Sequence, residues 1–184
     1  MIAKLARLRV ALGFFSSVLV LGLARPTART LVVGTAIALV GECLRIWASG
    51  HLNKAREVTA SGPYRWFAHP LYVGSSIMGV GLAVVSARPL VAGVIALYLL
   101  VTLTAAVKNE EAFLRRTFGD QYDRYRGGAG DDRFRRFSLA QAMANREYRA
   151  LTGLALAVLL LALKASYNGA FWRAAGTHLV RPGG

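Results

Sequence analysis

Residues 89–107, PLVAGVIALYLLVTLTAAV, run for nineteen positions without a charge. A helix that long rises about 28 Å, close to the roughly 30 Å of a bilayer's hydrocarbon core. Four more stretches, 8–24, 30–48, 71–87 and 151–165, share this apolar composition. The chain has 184 residues, is 55% hydrophobic and has a mean hydropathy of +0.42, more apolar surface than one small soluble core could hide. The expected fold is all-α: one integral membrane domain over 1–184, a bundle of about five transmembrane helices with cytosolic loops. Stretches 71–87 and 151–165 are short for spans, so they are expected to extend into their flanks, tilt or thin the bilayer.

A net charge of +14 would suit nucleic acid, but in a membrane protein basic residues record topology. With the N-terminus inside, sixteen Lys and Arg fall on cytoplasmic segments, ten of them between Lys108 and Arg149. Six fall outside (Arg25, Arg29, Arg88, Lys164, Arg173, Arg181), and Arg45 lies within a span. This predicts a bacterial inner-membrane protein with a cytoplasmic N-terminus, and no nucleic-acid partner. The opening MIAKLARLRV has the charge pattern of a signal peptide without a convincing cleavage site, so it is expected to persist as the first span. The single Cys43 excludes an internal disulfide and is expected to be a small buried hydrophobe.

The connections at 25–29 and 88–89 are too short for anything but helical hairpins. Ser75, Gly79, Ala83 and Ala87 form a small-residue stripe on which another helix can pack. Past Val107 the pattern becomes that of an amphipathic helix, with Phe113, Leu114 and Phe118 on one side, stopped by Gly119. A second turn of helix carries Tyr122 and Tyr125, a glycine linker occupies 127–132, and an extra segment, basic and amphipathic at first and then apolar, fills 134–165.

Two polar islands interrupt this apolar chain: SGPYRWFAHPLYVG at 61–74 and NEEAFLRRTFGDQYDRY at 109–125. Charge counting places both on the cytoplasmic face. Pro70 removes a backbone donor and sets a fixed entry into the third helix, which aims His69. Tyr64, Trp66, Phe67 and Tyr72 present aromatic faces with polar handles, as an interfacial belt also would. Glu110 and Glu111 oppose the dipole at the end of the fourth helix, so a compensating cation or a cationic ligand is expected beside them. Three histidines without HxxH or HExxH spacing exclude a recognisable metal site, and without GxGxxG or a P-loop no Rossmann-type nucleotide site is expected. In the second span Glu42 and Arg45 stand at i, i+3, as a structural pair or as substrate contacts.

The run REVTASGPYRWFAHPLYVG from Arg56, followed by EEAFLRRTFGDQYDRY, resembles the isoprenylcysteine carboxyl methyltransferase family and the related bacterial and phospholipid membrane methyltransferases. Their signature reads approximately GxYxxxRHPxYxG and then EExxLxxxFGxxYxxY, and the resemblance covers about 47–125. It implies an S-adenosyl-L-methionine pocket built from helix ends and loops on the cytosolic side, a lipophilic or lipidated acceptor (the carboxylate of an isoprenylcysteine-like molecule, or a lipid), and membrane lipids as surroundings. Carried over by position, Arg56, Glu57, Val58 and Thr59 would line the cofactor. Tyr64, His69, Pro70, Leu71 and Tyr72 would form its main wall, and Glu110 would reach its amino or ribose groups. Glu111, Tyr122 and Tyr125 would close the pocket. Ala68 replaces the arginine usual before the His-Pro pair. Ala106 replaces an arginine that, in the eukaryotic prenylcysteine enzymes, is associated with the substrate carboxylate.

Methyl transfer from a sulfonium is an in-line displacement that chiefly needs alignment and exclusion of water. A carboxylate acceptor, with a reference pKa of about 3.5, is already ionised; an amine or thiol must lose a proton, with His69 or Glu110 as the candidate catalytic groups. The competing readings are a sterol-reductase-like membrane enzyme using NADPH, whose C-terminal His-Pro and tyrosine motif is similar, and a non-catalytic membrane scaffold.

Overall fold

The computed structural model describes residues 2–54, 56–128 and 135–169, with side chains from residue 13 onward. Every regular element in them is helical: α1 (Ile2–Leu23), α2 (Ala28–His51), a short 3-10 turn (Gly62–Arg65), α3 (Pro70–Ser86), α4 (Pro89–Phe118), α5 (Asp120–Arg126), α6 (Leu139–Ala144) and α7 (Tyr148–Tyr167). Of the five expected spans, α2, α4 and α7 are long and apolar enough to cross a membrane. The other two correspond to shorter apolar helices, Gly13–Leu23 within α1 and Pro70–Ser86.

The outer faces of these helices are apolar. Phe14 is 73% exposed, Val32 69% and Leu100 67%, and in α4 only Val91 is buried among the described residues. In water so much exposed hydrocarbon would drive aggregation; in a bilayer, lipid chains cover it and the helices satisfy their own backbone hydrogen bonds. The fold is that of a membrane helical protein.

Two sequence expectations need correction. Cys43 is exposed rather than buried, because its neighbour Glu42 takes the inward position and the helical turn carries Cys43 to the outer face. The amphipathic stretch after Val107 is a continuation of α4, which runs unbroken to Phe118 because nothing from Lys108 to Thr117 breaks a helix. Gly119, with φ of 49°, ends it as expected. The basic segment after the linker has no regular structure at 135–138 and forms only the six-residue α6, whose first turn is capped by the Ser138 hydroxyl accepting from Gln141 N–H at 3.2 Å. Phe134, linker positions 129–132 and the tail from 170 lie outside the described residues.

The chain divides into two compact units. The first comprises residues 1–38, 79–98 and 153–184. Ala24, Val85 and Leu161 form its buried cluster, flanked by Leu21, Leu31 and Leu82. The helices α2 and α3 touch there through Gly34 and Gly81, where a Cβ added to Gly81 would stand 2.6 Å from the Gly34 carbonyl oxygen.

The second unit comprises 39–78 and 99–152. The same two helices meet there through Gly41 and Gly74, and a Cβ on Gly41 would lie 2.6 Å from the Gly74 oxygen. Close backbone approach through small residues is how helices associate without a hydrophobic driving force between them. These contacts use glycines that the Ser75, Gly79, Ala83, Ala87 stripe does not contain. The segment 135–147 is bound to the end of α2: Ser138 N–H donates to Gly50 O at 3.2 Å, Gln141 Nε2 to Leu52 O at 3.0 Å, and Asn145 Nδ2 to Ser49 O and Leu52 O at 2.8 Å each. Side chains thereby satisfy carbonyls at the end of α2.

Candidate functional site

The second unit gathers the chemistry-bearing residues, beginning with His69. Pro70 is the first residue of α3, and its ring excludes a helical conformation before it, so His69 sits at a turn with its carbonyl accepting from Tyr72 and Val73 N–H. Its imidazole is mostly buried, with Nδ1 3.5 Å from Glu110 Oε2 and Nε2 3.4 Å from Glu111 Oε1. Both ring nitrogens therefore face carboxylate oxygens, an arrangement that favours the doubly protonated imidazolium. The hydrogen bond to Glu110, reinforced by that to Glu111, raises the His69 pKa against the opposing effect of burial. The acidic pair thus gains the cation that the sequence demanded. A second one arrives from α5, where Arg126 Nη1 lies 3.0 Å from Glu111 Oε1.

The Tyr72 hydroxyl donates to Glu110, and its ring centroid lies 5.7 Å from that of His69. Tyr64 is buried, and burial pushes its hydroxyl far above the usual phenol range. The Tyr125 hydroxyl donates to the Tyr64 carbonyl at 2.7 Å; burial and the neighbouring Tyr122 push its own pKa up to about 12. Tyr122 is 1% exposed and its hydroxyl has no hydrogen-bond partner among the described residues. These phenols stay protonated at any physiological pH, so they serve as donors and walls, not as bases.

Beside His69 a cavity of about 520 Å³ opens between α3 and α4, lined by His69, Tyr72, Val73, Ser76, Leu103, Thr104, Val107, Lys108 and Glu111. Its lining is graded. At one end stand the imidazole, a phenol, an ammonium and a carboxylate; away from them along both helices the walls are uncharged, with Val73, Val107 and Leu103 beside the hydroxyls of Thr104 and of Ser76, the latter donating to the Tyr72 carbonyl. A polar mouth continued by a mostly apolar trough suits an amphiphile.

Not every expected residue joins this group. His69, Tyr72 and Glu110 come together, with Tyr64 held close by through Tyr125. Pro70 is buried as the first residue of α3, and Leu71 contributes its carbonyl to Arg45. Arg56, Glu57, Val58 and Thr59 occupy the loop after α2, and none lines the cavity. Arg56 is exposed, Glu57 accepts from Arg135 Nη1 at 2.8 Å, Val58 is half-buried, and the buried Thr59 hydroxyl accepts from Asn53 N–H at 3.3 Å. The arginine beside the acidic pair is Arg126, while Arg65 is exposed.

Glu42 and Arg45 do pair, at 3.8 Å. The guanidinium's stronger contacts are with Glu147, whose Oε1 accepts from Nε at 2.7 Å, with Leu71 O at 3.3 Å and with the Ser75 hydroxyl. Arg45 thus ties the first turn of α3, next to Tyr72, to the chain's extra C-terminal segment. Glu147 was missed by sequence reasoning, although one signal existed: it is the only acid in the otherwise basic stretch 133–149. Arg126 and Arg135 were not singled out by residue and counted only as general positive charge.

The profile of the phospholipid methyltransferase family matches residues 18–121, over half of the chain. A nickel-cobalt-cadmium resistance protein, NccN, of Alcaligenes xylosoxydans xylosoxydans is 30% identical over 96 residues, 51% of this chain and 43% of that one. A probable protein-S-isoprenylcysteine O-methyltransferase of Oryza sativa subsp. japonica is 32% identical over 105 residues, 50% of this chain and 55% of the rice protein. A cobalt-zinc-cadmium resistance protein, CzcN, of Cupriavidus metallidurans is 30% identical over 89 residues, 47% of this chain and 40% of that one. The chain thus spans about half the length of the curated relatives it matches, and the relatives named for metal resistance do not decide its chemistry. No solved structure gives a significant match. The paired motifs, the helical fold and the profile match agree: the chain belongs to the phospholipid methyltransferase family, which includes isoprenylcysteine methyltransferase-like membrane proteins.

Proposed function

We propose that this protein is an integral-membrane methyltransferase that uses S-adenosyl-L-methionine at the polar mouth of the α3–α4 groove and acts on a lipophilic acceptor entering from the bilayer. The observation that carries this reading is the lining of the groove, which couples the charged His69, Glu110 and Glu111 cluster to an uncharged, mostly apolar trough. The residues present fit the cofactor's chemistry. Glu110 and Glu111 offer acceptors for an ammonium or ribose hydroxyls, Lys108 and Arg126 offer partners for a carboxylate, and Tyr72 offers a ring face. When bound, the cofactor supplies a methyl group activated by a positively charged sulfur.

The protein's part is then alignment and exclusion of water. The His69 imidazolium, held by both carboxylates, fixes the end of α3 against α4 and so sets the width of the groove mouth. Its protonated state suits orientation better than base catalysis. A carboxylate acceptor needs no base, whereas an amine acceptor would give up a proton to Glu110 or Glu111. We assign the core of this activity to residues 47–125 within a single functional domain, 1–184, and place the groove mouth and the N-terminus on the cytoplasmic side of a bacterial inner membrane.

Isothermal titration with S-adenosylhomocysteine tests the proposal. Saturable binding is expected, weakened at least tenfold by His69→Ala or Glu110→Ala with the apo proteins still folded. No binding to folded wild-type protein would reject it, and binding of NADPH instead would favour a reductase. Methyl transfer from labelled cofactor into a fractionated lipid extract then identifies the acceptor.

A further inference from the structure

The distribution of charge between the two units is one-sided. All nine acidic residues of the chain lie in the second unit; the first, residues 1–38, 79–98 and 153–184, contains none. It nevertheless carries Arg25, Arg29, Arg88 and Lys164 around one set of connections. The α1–α2 turn is joined to the α3–α4 turn by Arg25 N–H donating to Ser86 O at 2.9 Å. From α7, Lys164 Nζ reaches the Leu21 and Gly22 carbonyls at the end of α1.

Between these elements lies a cavity of about 690 Å³, lined by Gly22, Ala24, Arg25, Pro26, Thr27, Lys164 and Asn168. Two cations line it and no carboxylate does. The Arg25 side chain has no hydrogen-bond or ion-pair partner among the described residues, and Lys164 uses its ammonium on two neutral carbonyls. Thr27 caps α2, its hydroxyl accepting from Thr30 N–H at 3.2 Å, so the positive end of that helix's dipole adds to the field. Two cations in a concavity that holds no carboxylate, the Arg25 guanidinium exposed and unpaired among the described residues, are open to an anion from outside the chain. At the end of an apolar helix hairpin, the abundant anion is phosphate.

We propose that this cavity is a phosphate-binding site, separate from the methyltransferase groove, that takes the phosphate of an anionic phospholipid headgroup with its acyl chains along the apolar faces of the neighbouring helices. Arg25 supplies the principal contact, since its guanidinium matches phosphate geometry, and Lys164 adds a point charge. Inorganic phosphate shares the chemistry, and the test separates the two sources.

Purified protein in a neutral detergent is titrated with dihexanoyl phosphatidylglycerol, with inorganic phosphate and with dihexanoylglycerol, which lacks the phosphate. Saturable binding of one phosphatidylglycerol is expected, weakened at least tenfold by Arg25→Gln, only partly restored by Arg25→Lys, and weakened in wild type by raised salt. Equal Arg25 dependence with inorganic phosphate alone would assign the site to a free anion. Binding of dihexanoylglycerol as tight as that of the phosphatidylglycerol, or phosphatidylglycerol binding indifferent to both Arg25 and salt, would overturn the proposal, as would no binding of either phosphate compound. Because the salt and headgroup comparisons use wild-type protein, the outcome does not depend on how well a variant folds.

Discussion

His69 faces Glu110 with one ring nitrogen and Glu111 with the other, so its proton count governs how well α3 is held to α4. Its folded pKa is raised, by the Glu110 hydrogen bond above all. A raised imidazole pKa gives stabilisation that is fully present below the unfolded value of about 6.5 and is lost as pH rises through the higher folded value. Wild type should therefore exceed His69→Gln in stability most below about pH 6.5, with the gap closing as pH rises through the raised folded value. Glu110 is about one-third exposed, so solvent screening limits the gap to on the order of 1 kcal/mol. Thermal unfolding in detergent at a series of pH values measures it, and a gap independent of pH would contradict the assigned imidazolium. Arg45 is a different case, because it serves two buried carboxylates, Glu42 and Glu147. Arg45→Met should cost about 3–5 kcal/mol by leaving them uncompensated, and adding Glu42→Gln and Glu147→Gln should recover most of that. Denaturation of the single and triple variants decides it. Motif spacing made His69, Tyr72 and Glu110 legible as one cluster. The partnership of Arg45 with Glu147 was not legible, since 102 residues separate them and no local pattern links them.

The helices themselves were legible where composition alone decides them. Apolar length announced α2, α4 and α7, and Gly119 announced the end of α4. What composition concealed was where an amphipathic pattern continues an apolar helix, as it does past Val107, because periodicity changes there without any breaker. It also concealed which face of α3 packs. Alternative small residues stand beside Gly74 and Gly81, and only the partner helix reveals which are used. This leads to a paired expectation for glycine substitutions. Gly41→Ala would press a methyl group against the Gly74 backbone, which cannot retreat as a side chain end could, and should lower stability by about 1–3 kcal/mol. Gly93→Ala on α4 meets nothing within 4 Å and should be neutral or stabilising by up to about 1 kcal/mol through helix propensity. Thermal unfolding of the two variants compares them; equal losses would mean that α2 and α3 do not meet through this glycine.

For the whole molecule, the membrane reading rests on outward apolar faces and on the segregation of charge, and the two make one joint prediction about topology. Helix α3 has 17 residues and rises about 25 Å, somewhat less than the roughly 30 Å of a hydrocarbon core. Its flanks therefore have to complete the crossing or the bilayer has to thin, and Arg65 before the helix and Arg88 after it should reach opposite headgroup layers. Both arginines are exposed, so cysteine placed there should be open to reagent without disturbing packing. Cys43 also points outward and should be replaced by serine to leave a clean background. In whole cells a membrane-impermeant maleimide should then label Arg88→Cys and spare Arg65→Cys until the membrane is opened. Such a result would place the His69 cluster on the cytoplasmic side, where a soluble methyl donor is present, and the Arg25 cavity on the outer side. Labelling of both cysteines from outside would mean that α3 does not cross, and the groove beside it would then have to be reached by some route other than the bilayer. Reversed labelling would keep the crossing but invert the charge argument, since the sixteen basic residues assigned to the cytoplasm would face out.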